Sequence, residues 1–401
     1  MSLLSQSPPR FLTLAFMTSL SVLSFNMIAP SLSAIAQDFD ASYAQTSIAV
    51  SGFLAVNAAL FLVLGPASDR FGRRPVILWA TAVFVVASIG AALAQSLWIF
   101  LIFRTLQAAI AAGSVVSAAM VRDVYGAEDA ASRLGYLAMA MAIAPMLGPS
   151  VGGILDQIFG WRAIFWVYAG LGLALFALCY WDAGETNTQR HSTFAHQLRA
   201  YPDLLKNRMF WAYAGVMSCG IGAFYVFVAG APFVGTDILG LSPAVLGLGI
   251  GSITLGFFAG SFLAGQLSRR MGTARMILLG RSVPVAGIGI VLLAYSLGLF
   301  HPFLIFVAAI TAGVGNGMTT PSARAGSMSV RQDLAGSASG LGGALIVAIG
   351  AALTQVTGAV LTANNGIAML LGLMLLLSGI GLYLAGVIWR ADRKTTDESD
   401  A

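Results

Sequence analysis

The sequence predicts an all-α membrane protein, with twelve transmembrane helices in two six-helix bundles, on three observations. Hydrophobic residues make up 58% of the 401-residue chain and charged residues only 9%, whereas soluble domains carry about 25% charge. Apolar runs long enough to cross about 30 Å of hydrocarbon, roughly 20 residues each, recur twelve times along the chain. Arginine and lysine collect on alternate connections between those runs, as they do when one side of a membrane is cytoplasmic.

The runs lie near 11–33, 46–65, 76–94, 97–119, 133–156, 163–181, 209–231, 243–267, 274–297, 302–322, 336–361 and 366–389. The first is followed by Ala34-Ile35-Ala36, which has the small-x-small form of a cleavage site. The run is too long for a signal peptide core and carries Asn26 and Pro30, so an uncleaved first helix is expected. With both termini cytoplasmic, the inner connections hold Arg70, Arg73, Arg74, Arg122, Arg133, Lys206, Arg208, Arg269, Arg270, Arg324 and Arg331, and the outer ones keep Arg162 alone. Arg281 is expected to reach back to the inner surface by snorkelling.

The polar stretch from Asp182 to Arg208 divides the helices six and six. The domains are therefore an N-terminal bundle (1–182), a cytoplasmic linker (183–208) and a C-terminal bundle (209–401). The linker, with Glu185, Arg190, His191, His196 and Arg199, is expected as a solvated tether carrying a surface helix.

Composition also excludes functions. The net charge of +5 follows from the basic inner connections and carries no nucleic-acid signal. Cys179 and Cys219 sit in apolar runs and are read as small core residues. The three histidines fall in loops, so no metal site is expected. No nucleotide-binding loop or nucleophile–base pair appears, so the chain is not read as an enzyme and needs no cofactor.

Gly65-Pro66-Ala67-Ser68-Asp69-Arg70-Phe71-Gly72-Arg73-Arg74-Pro75 packs four charges into eleven residues between the second and third runs. A charge at the bilayer centre costs about 2.5–3.5 kcal/mol on insertion scales, so this stretch is a turn in water. Gly265-Gln266-Leu267-Ser268-Arg269-Arg270-Met271-Gly272 stands 200 positions later with Gly, Arg and Gly in register. Repeated halves are the pattern of transporters whose site lies at mid-membrane between them.

These residues carry a family resemblance. Gly65-x-x-x-Asp69-Arg70-x-Gly72-Arg73-Arg74, Arg104-x-x-Gln107 in the fourth span and Gly148-Pro149-Ser150-Val151-Gly152-Gly153 in the fifth resemble the major facilitator superfamily. Val121-Arg122-Asp123-Val124-Tyr125-Gly126 and Gly160-Trp161-Arg162-Ala163-Ile164-Phe165 resemble its bicyclomycin- and chloramphenicol-resistance subgroup of drug:proton antiporters. The resemblance implies a gate built by Gly65, Asp69, Arg70, Gly72, Arg73 and Asp123, in which Asp69 accepts hydrogen bonds at Gly336-Ser337 of the eleventh span and Asp123 pairs with Arg73. Pro145, Gly148, Pro149, Gly152 and Gly153 suit a hinge or tight seam, because prolines bend a helix and glycines admit a neighbour. Arg104, a cation inside a span, must face a partner or a water cavity. It either ties the fourth span to the first or helps form a substrate cavity with Asn26, Asn57, Gln107, Tyr136, Tyr225, Asn316 and Gln355.

The chain departs from the subgroup at Phe25-Asn26-Met27-Ile28-Ala29-Pro30, where an amide replaces an acid. All 16 acidic residues fall in loops or at span ends, with Asp123 and Asp156 the nearest substitutes for a membrane carboxylate. The expectation is a monomeric exporter of a small organic molecule in a bacterial inner membrane, acting by alternating access, with the proton gradient as candidate energy source. The alternative is an uncoupled uptake permease or facilitator for a neutral or anionic nutrient.

Overall fold

The computed structural model describes residues 9–125, 133, 137, 144, 147–187, 205–330 and 335–399. All regular structure among the described residues is helical. Eleven helices are long and apolar enough to span a membrane: α1 (Phe11–Asp38), α2 (Tyr43–Phe71), α3 (Arg73–Leu93), α4 (Leu97–Val121), α6 (Arg162–Asp182), α7 (Arg208–Ile238), α8 (Pro243–Ser268), α9 (Thr273–Ser296), α10 (Leu304–Ser327), α11 (Leu341–Val360) and α12 (Gly366–Arg393). The fifth expected run is described as helix α5 over 147–159.

Sequence chemistry sets the helix ends. Ser42 and Gln45 form a capping box before α2, with the Gln45 N–H donating to Ser42 Oγ at 3.2 Å and the Ser42 N–H donating to Gln45 Oε1 at 3.0 Å. Asn207 opens α7, its Oδ1 accepting from the N–H groups of Met209 (2.9 Å) and Phe210 (3.2 Å). The α2–α3 turn reverses at Gly72 with φ 102°, and the α8–α9 turn at Gly272 with φ 78°. Only glycine adopts such angles readily. In each turn the glycine N–H donates to the serine carbonyl four residues earlier, Ser68 at 3.1 Å and Ser268 at 3.0 Å. The repeat read from the sequence is thus a repeat of backbone geometry.

Some of the described spans are locally irregular. α1 tightens into a 3₁₀ turn at Ala29–Ser31 around Pro30, α4 does so at Gln107–Ala111, and α7 ends in a π turn at Phe233–Ile238 after Pro232.

The described chain forms two compact units, residues 1–196 with 242–248, and residues 197–241 with 249–401. In the first, α1 packs on α4 and α3 on α6. A Cβ on Gly113 of α4 would strike the Met17 carbonyl of α1, so the two backbones touch there. One end of this unit gathers the α2–α3 turn, the start of α1 and the end of α6. There Asp182 accepts from the Arg10 N–H at 2.9 Å and from Thr13 Oγ1 at 2.6 Å. At the other end Trp161 packs edge-on to Phe100 and Phe165, and Arg162 pairs with Asp38 at 2.6 Å and donates to the Ala94 carbonyl at 3.2 Å.

In the second unit, Gly256 and Gly260 of α8 face the carbonyls of Ile310 and Val314, while Gly313 and Gly317 of α10 face those of Ile253 and Phe257. Any side chain larger than hydrogen would force this reciprocal seam apart. Close approach of this kind is how apolar helices associate when the hydrophobic effect no longer distinguishes neighbour from lipid. Trp79, Trp181 and Phe262, each more than 60% exposed, lie on outward faces, as a chain solvated by lipid requires.

Candidate gate and buried polar sites

Two arginines at the first turn of α3 are locally unfavourable, because a helix N-terminus carries partial positive charge and attracts anions. Three carboxylates answer them. Asp69 Oδ1 pairs with Arg73 Nη1 at 2.6 Å, one turn away across the glycine. Arg73 Nε donates to Asp123 Oδ2 at 3.0 Å, the pairing anticipated from the resemblance. Glu185 accepts from the backbone N–H of Arg73 at 2.9 Å and of Arg74 at 3.2 Å, so it caps the helix from outside its own chain segment. Arg73 itself is only 9% exposed, and its Nη1 also donates to Ser68 Oγ at 2.5 Å. Arg70 is exposed and stacks on Phe71, and nothing lies near the Cβ position of Gly65.

The start of the linker therefore departs from the expected solvated tether. Thr186 Oγ1 donates to Asp123 Oδ2 at 3.0 Å, and Asn187 Nδ2 to the Asp69 carbonyl at 2.7 Å. Arg74 Nη2 donates to the Tyr180 carbonyl at the end of α6, at 2.7 Å. Residues 185–187 close the charged turn as its third side. The sequence signal for this was the cationic helix start, which called for an anion that its near neighbours alone did not supply.

Arg104 sits in the interior of the first unit, with no exposed surface. Its Nη2 donates to the Ser24 carbonyl of α1 (3.0 Å), Nε to the Ala49 carbonyl of α2 (3.1 Å) and Nη1 to Gln107 Oε1 of α4 (2.8 Å). Gln107 Nε2 passes the connection to Ser88 Oγ of α3 at 2.7 Å, and Tyr168 of α6 donates to the same Ser24 carbonyl at 3.0 Å. The guanidinium lies 4.3 Å from the Phe53 ring centre, a cation–π contact strengthened by the absence of water. Five helices thus meet at one cation whose charge is spread over carbonyls and an aromatic face. This geometry is that of a tie between helices, the first of the two roles the sequence allowed.

Arg281 of α9 is likewise buried, within the second unit, which corrects the expectation that it snorkels to the surface. It is 2% exposed. Its Nε donates to Thr319 Oγ1 at 3.1 Å and Nη2 to Asn316 Oδ1 at 2.7 Å, while Asn316 Nδ2 donates to the Gly220 carbonyl at 2.9 Å. Internal partners on α10 outcompete the distant interface. Asn316 is accordingly engaged in binding α9, α10 and α7 together.

Of the other expected cavity residues, Asn57 is buried on α2, while Tyr225 on α7 and Gln355 on α11 are partly exposed, Tyr225 against Gly350 of α11. Asn26 is 1% exposed, its Nδ2 donating to the Val22 carbonyl at 2.8 Å. Tyr136 and Pro145 lie outside the described residues. The described hinge residues make a seam. The Cβ position of Gly148 lies 3.0 Å from Asn26 Cβ, that of Gly152 collides with the Met27 carbonyl, and that of Gly153 collides with the Pro243 carbonyl. Each glycine marks a place where backbones touch.

Eleven described spans, a duplicated charged turn and polar ties buried within each unit mark a multi-pass membrane protein, and the family match makes it a transporter rather than an enzyme. The profile of the Major Facilitator Superfamily matches residues 14–355, and the chain belongs to that superfamily. The chain is 30% identical over 339 residues to a chloramphenicol resistance protein of Pseudomonas aeruginosa, covering 82% of this chain and 80% of that one. It is 30% identical over 341 residues to the multidrug resistance protein MdtL of Escherichia coli O45:K1 (strain S88 / ExPEC), covering 83% and 85%. In fold it is similar to the xylose transporter XylE of E. coli, in a partially occluded inward-open conformation, with a TM-score of 0.71 at 14% identity, over 95% and 96% of the two chains.

Proposed function

We propose that the protein exports a small organic molecule, a drug or metabolite, by alternating access across a bacterial inner membrane, with both termini cytoplasmic and export coupled to proton entry. The observation that carries this reading is near full-length similarity to two relatives named for resistance to chloramphenicol and to multiple drugs. A membrane transporter gives resistance by lowering the intracellular concentration of the compound.

In this reading the Asp69–Arg73–Asp123 turn is the cytoplasmic gate. Asp69 accepts hydrogen bonds from the start of the eleventh span when the inner side is closed and is released when it opens. The Gly148–Gly152–Gly153 face of α5 serves as the tight seam. Arg104 and Arg281 hydrogen-bond to protein acceptors that tie helices together, so direct contact with substrate is assigned to other residues. Asn57, Tyr225, Tyr136 and Gln355 are the residues proposed to meet substrate. The protein works as a monomer, its partners being substrate and lipid.

The test is accumulation of labelled chloramphenicol and a panel of antimicrobials in pump-deficient cells, with and without an uncoupler. Lowered accumulation restored by the uncoupler is expected. Raised accumulation indifferent to the uncoupler would instead establish the facilitator. Asp69→Asn should abolish the effect with the protein still inserted in the membrane, and full transport by that variant would overturn the latch.

A further inference from the structure

α5 meets α1 along one face, at residues spaced one helical turn apart. Gly148 lies against Asn26, Gly152 against the Met27 carbonyl, and Asp156 against Ser31. The first two contacts are glycine contacts, so they draw the helices together, and the third carries a carboxylate into the resulting gap. Asp156 is 9% exposed, and it is the only acidic residue among the buried polar groups described.

The seam is short of partners. Five buried side-chain polar atoms in the described residues have no hydrogen bond, and three are here: Asn26 Oδ1, Ser31 Oγ and Asp156 Oδ2. Ser31 is the polar group that faces Asp156, yet the two stop short of a formed bond. Leaving such atoms unpaired is costly, and in native proteins they mark strain, a catalytic role or an absent ligand. The smallest ligand that satisfies a carboxylate oxygen beside a hydroxyl is a proton. A hydroxyl can donate to the ionised carboxylate and accept from the protonated one, so Ser31 can serve both states by rotating.

No cation competes for the site among the described residues of this unit. Arg162, the nearest arginine in sequence, is held by Asp38 and the Ala94 carbonyl. Arg104 is held by Ser24, Ala49 and Gln107. Asp38 ends α1 about two turns beyond Ser31 and is paired with Arg162, Asp40 follows α1, Tyr168 donates to Ser24, and residues 242–248 bear no titratable side chain. Asp123 is committed to Arg73 and Thr186.

We propose that Asp156, with Ser31 as its hydrogen-bond partner, is the site that takes up and releases the transported proton. Asp156 Oδ2 gains one proton from the side of higher acidity and loses it to the other side, with no other bond made or broken. The residue takes the part that Asn26 cannot, and the 3₁₀ break of α1 at Ala29–Ser31 lets Ser31 move relative to α5. This rests on the proton-coupled reading of the function above.

The test uses the full-length protein in liposomes, with two readouts. In the absence of substrate, the infrared C=O stretch of protonated carboxyl groups is followed against pH. Beside the absorption of the solvated carboxyl groups among the 16 acidic residues, a separate titrating band at the higher frequency of a weakly hydrogen-bonded buried carboxyl is expected in the wild type, lost in Asp156→Asn, retained in Asp156→Glu and shifted in its midpoint in Ser31→Ala. With labelled chloramphenicol as probe, Asp156→Asn should lose accumulation driven by an imposed pH gradient and flatten the pH profile of exchange. Survival of that separate band in Asp156→Asn, or gradient-driven accumulation by that variant at the wild-type level, would overturn the proposal. If the wild type moves no chloramphenicol, export of that probe fails, and the infrared band alone decides whether Asp156 binds the proton. Should Asp156→Asn not fold, the midpoint in Ser31→Ala decides, an unshifted one counting against the site.

Discussion

Replacing Arg104 with Met separates a structural tie from a substrate contact. Met keeps an unbranched apolar stem of similar length and removes the donors that hold the carbonyls of Ser24 and Ala49 and the side chain of Gln107. A buried acceptor left unpaired costs about 1–3 kcal/mol in soluble proteins, and interhelical bonds in membranes average about 0.6 kcal/mol. The Ser24 carbonyl keeps its bond from Tyr168, so the count is of three lost hydrogen bonds at about 1 kcal/mol each, a loss of about 3 kcal/mol. Removing a buried charge recovers part of this, leaving about 2 kcal/mol net. For a chain of 401 residues unfolding as one unit, a change of that size lowers an apparent melting temperature by about 2 °C. The assay is thermal unfolding of the purified protein in detergent, followed by the loss of its monodisperse chromatographic peak. Arg104→Lys should fall between the two, since a single ammonium keeps the charge but cannot span all three acceptors. A wild-type melting curve for Arg104→Met combined with altered substrate range would refute the tie and make the residue part of the cavity.

Other outcomes follow from the same geometry. Glu185→Gln should weaken the cap on α3 by about 1 kcal/mol, the carboxylate being exposed, and raise amide hydrogen exchange at Arg73 and Arg74 while leaving α9 unchanged. Gly152→Leu should sharply cut the yield of folded protein, because it drives a side chain into the Met27 carbonyl, whereas Gly65→Ala, with open space around it, should express normally. Arg281→Met should destabilise about as much as Arg104→Met, and the double variant should add the two losses, since the sites share no partners.

Hydrophobic length and cation placement made the spans legible, because each demand of the bilayer acts on many residues at once. The resemblance named the charged turn and, within it, the Arg73–Asp123 pair. What escaped was decided by partners remote in sequence. Glu185 sits 112 positions from the backbone it caps and was read as loop polarity. Arg281 looked free to reach the surface because nothing local announces that Asn316 and Thr319 stand opposite it. Asp156 stood out as a nearest substitute for a membrane carboxylate, but its burial against Ser31 was not legible, since it depends on two glycines drawing α5 onto α1. Single residues of unusual charge or size show where a contact must exist, while the identity of the partner belongs to the packing.

The two glycine turns hold one further consequence. Gly72 and Gly272 share a positive φ and the same serine-carbonyl acceptor, yet Asp69 has become Arg269, and Arg73 has become Thr273. Reversing the chain between two helices is a demand on shape alone, and both copies still meet it. Assembling a cluster of opposite charges is a demand on side chains, and Arg73 with Asp69 and Asp123 meets it in the first copy. Either turn can reverse its chain at its glycine, but the second has the shape without the residues for that carboxylate–guanidinium cluster.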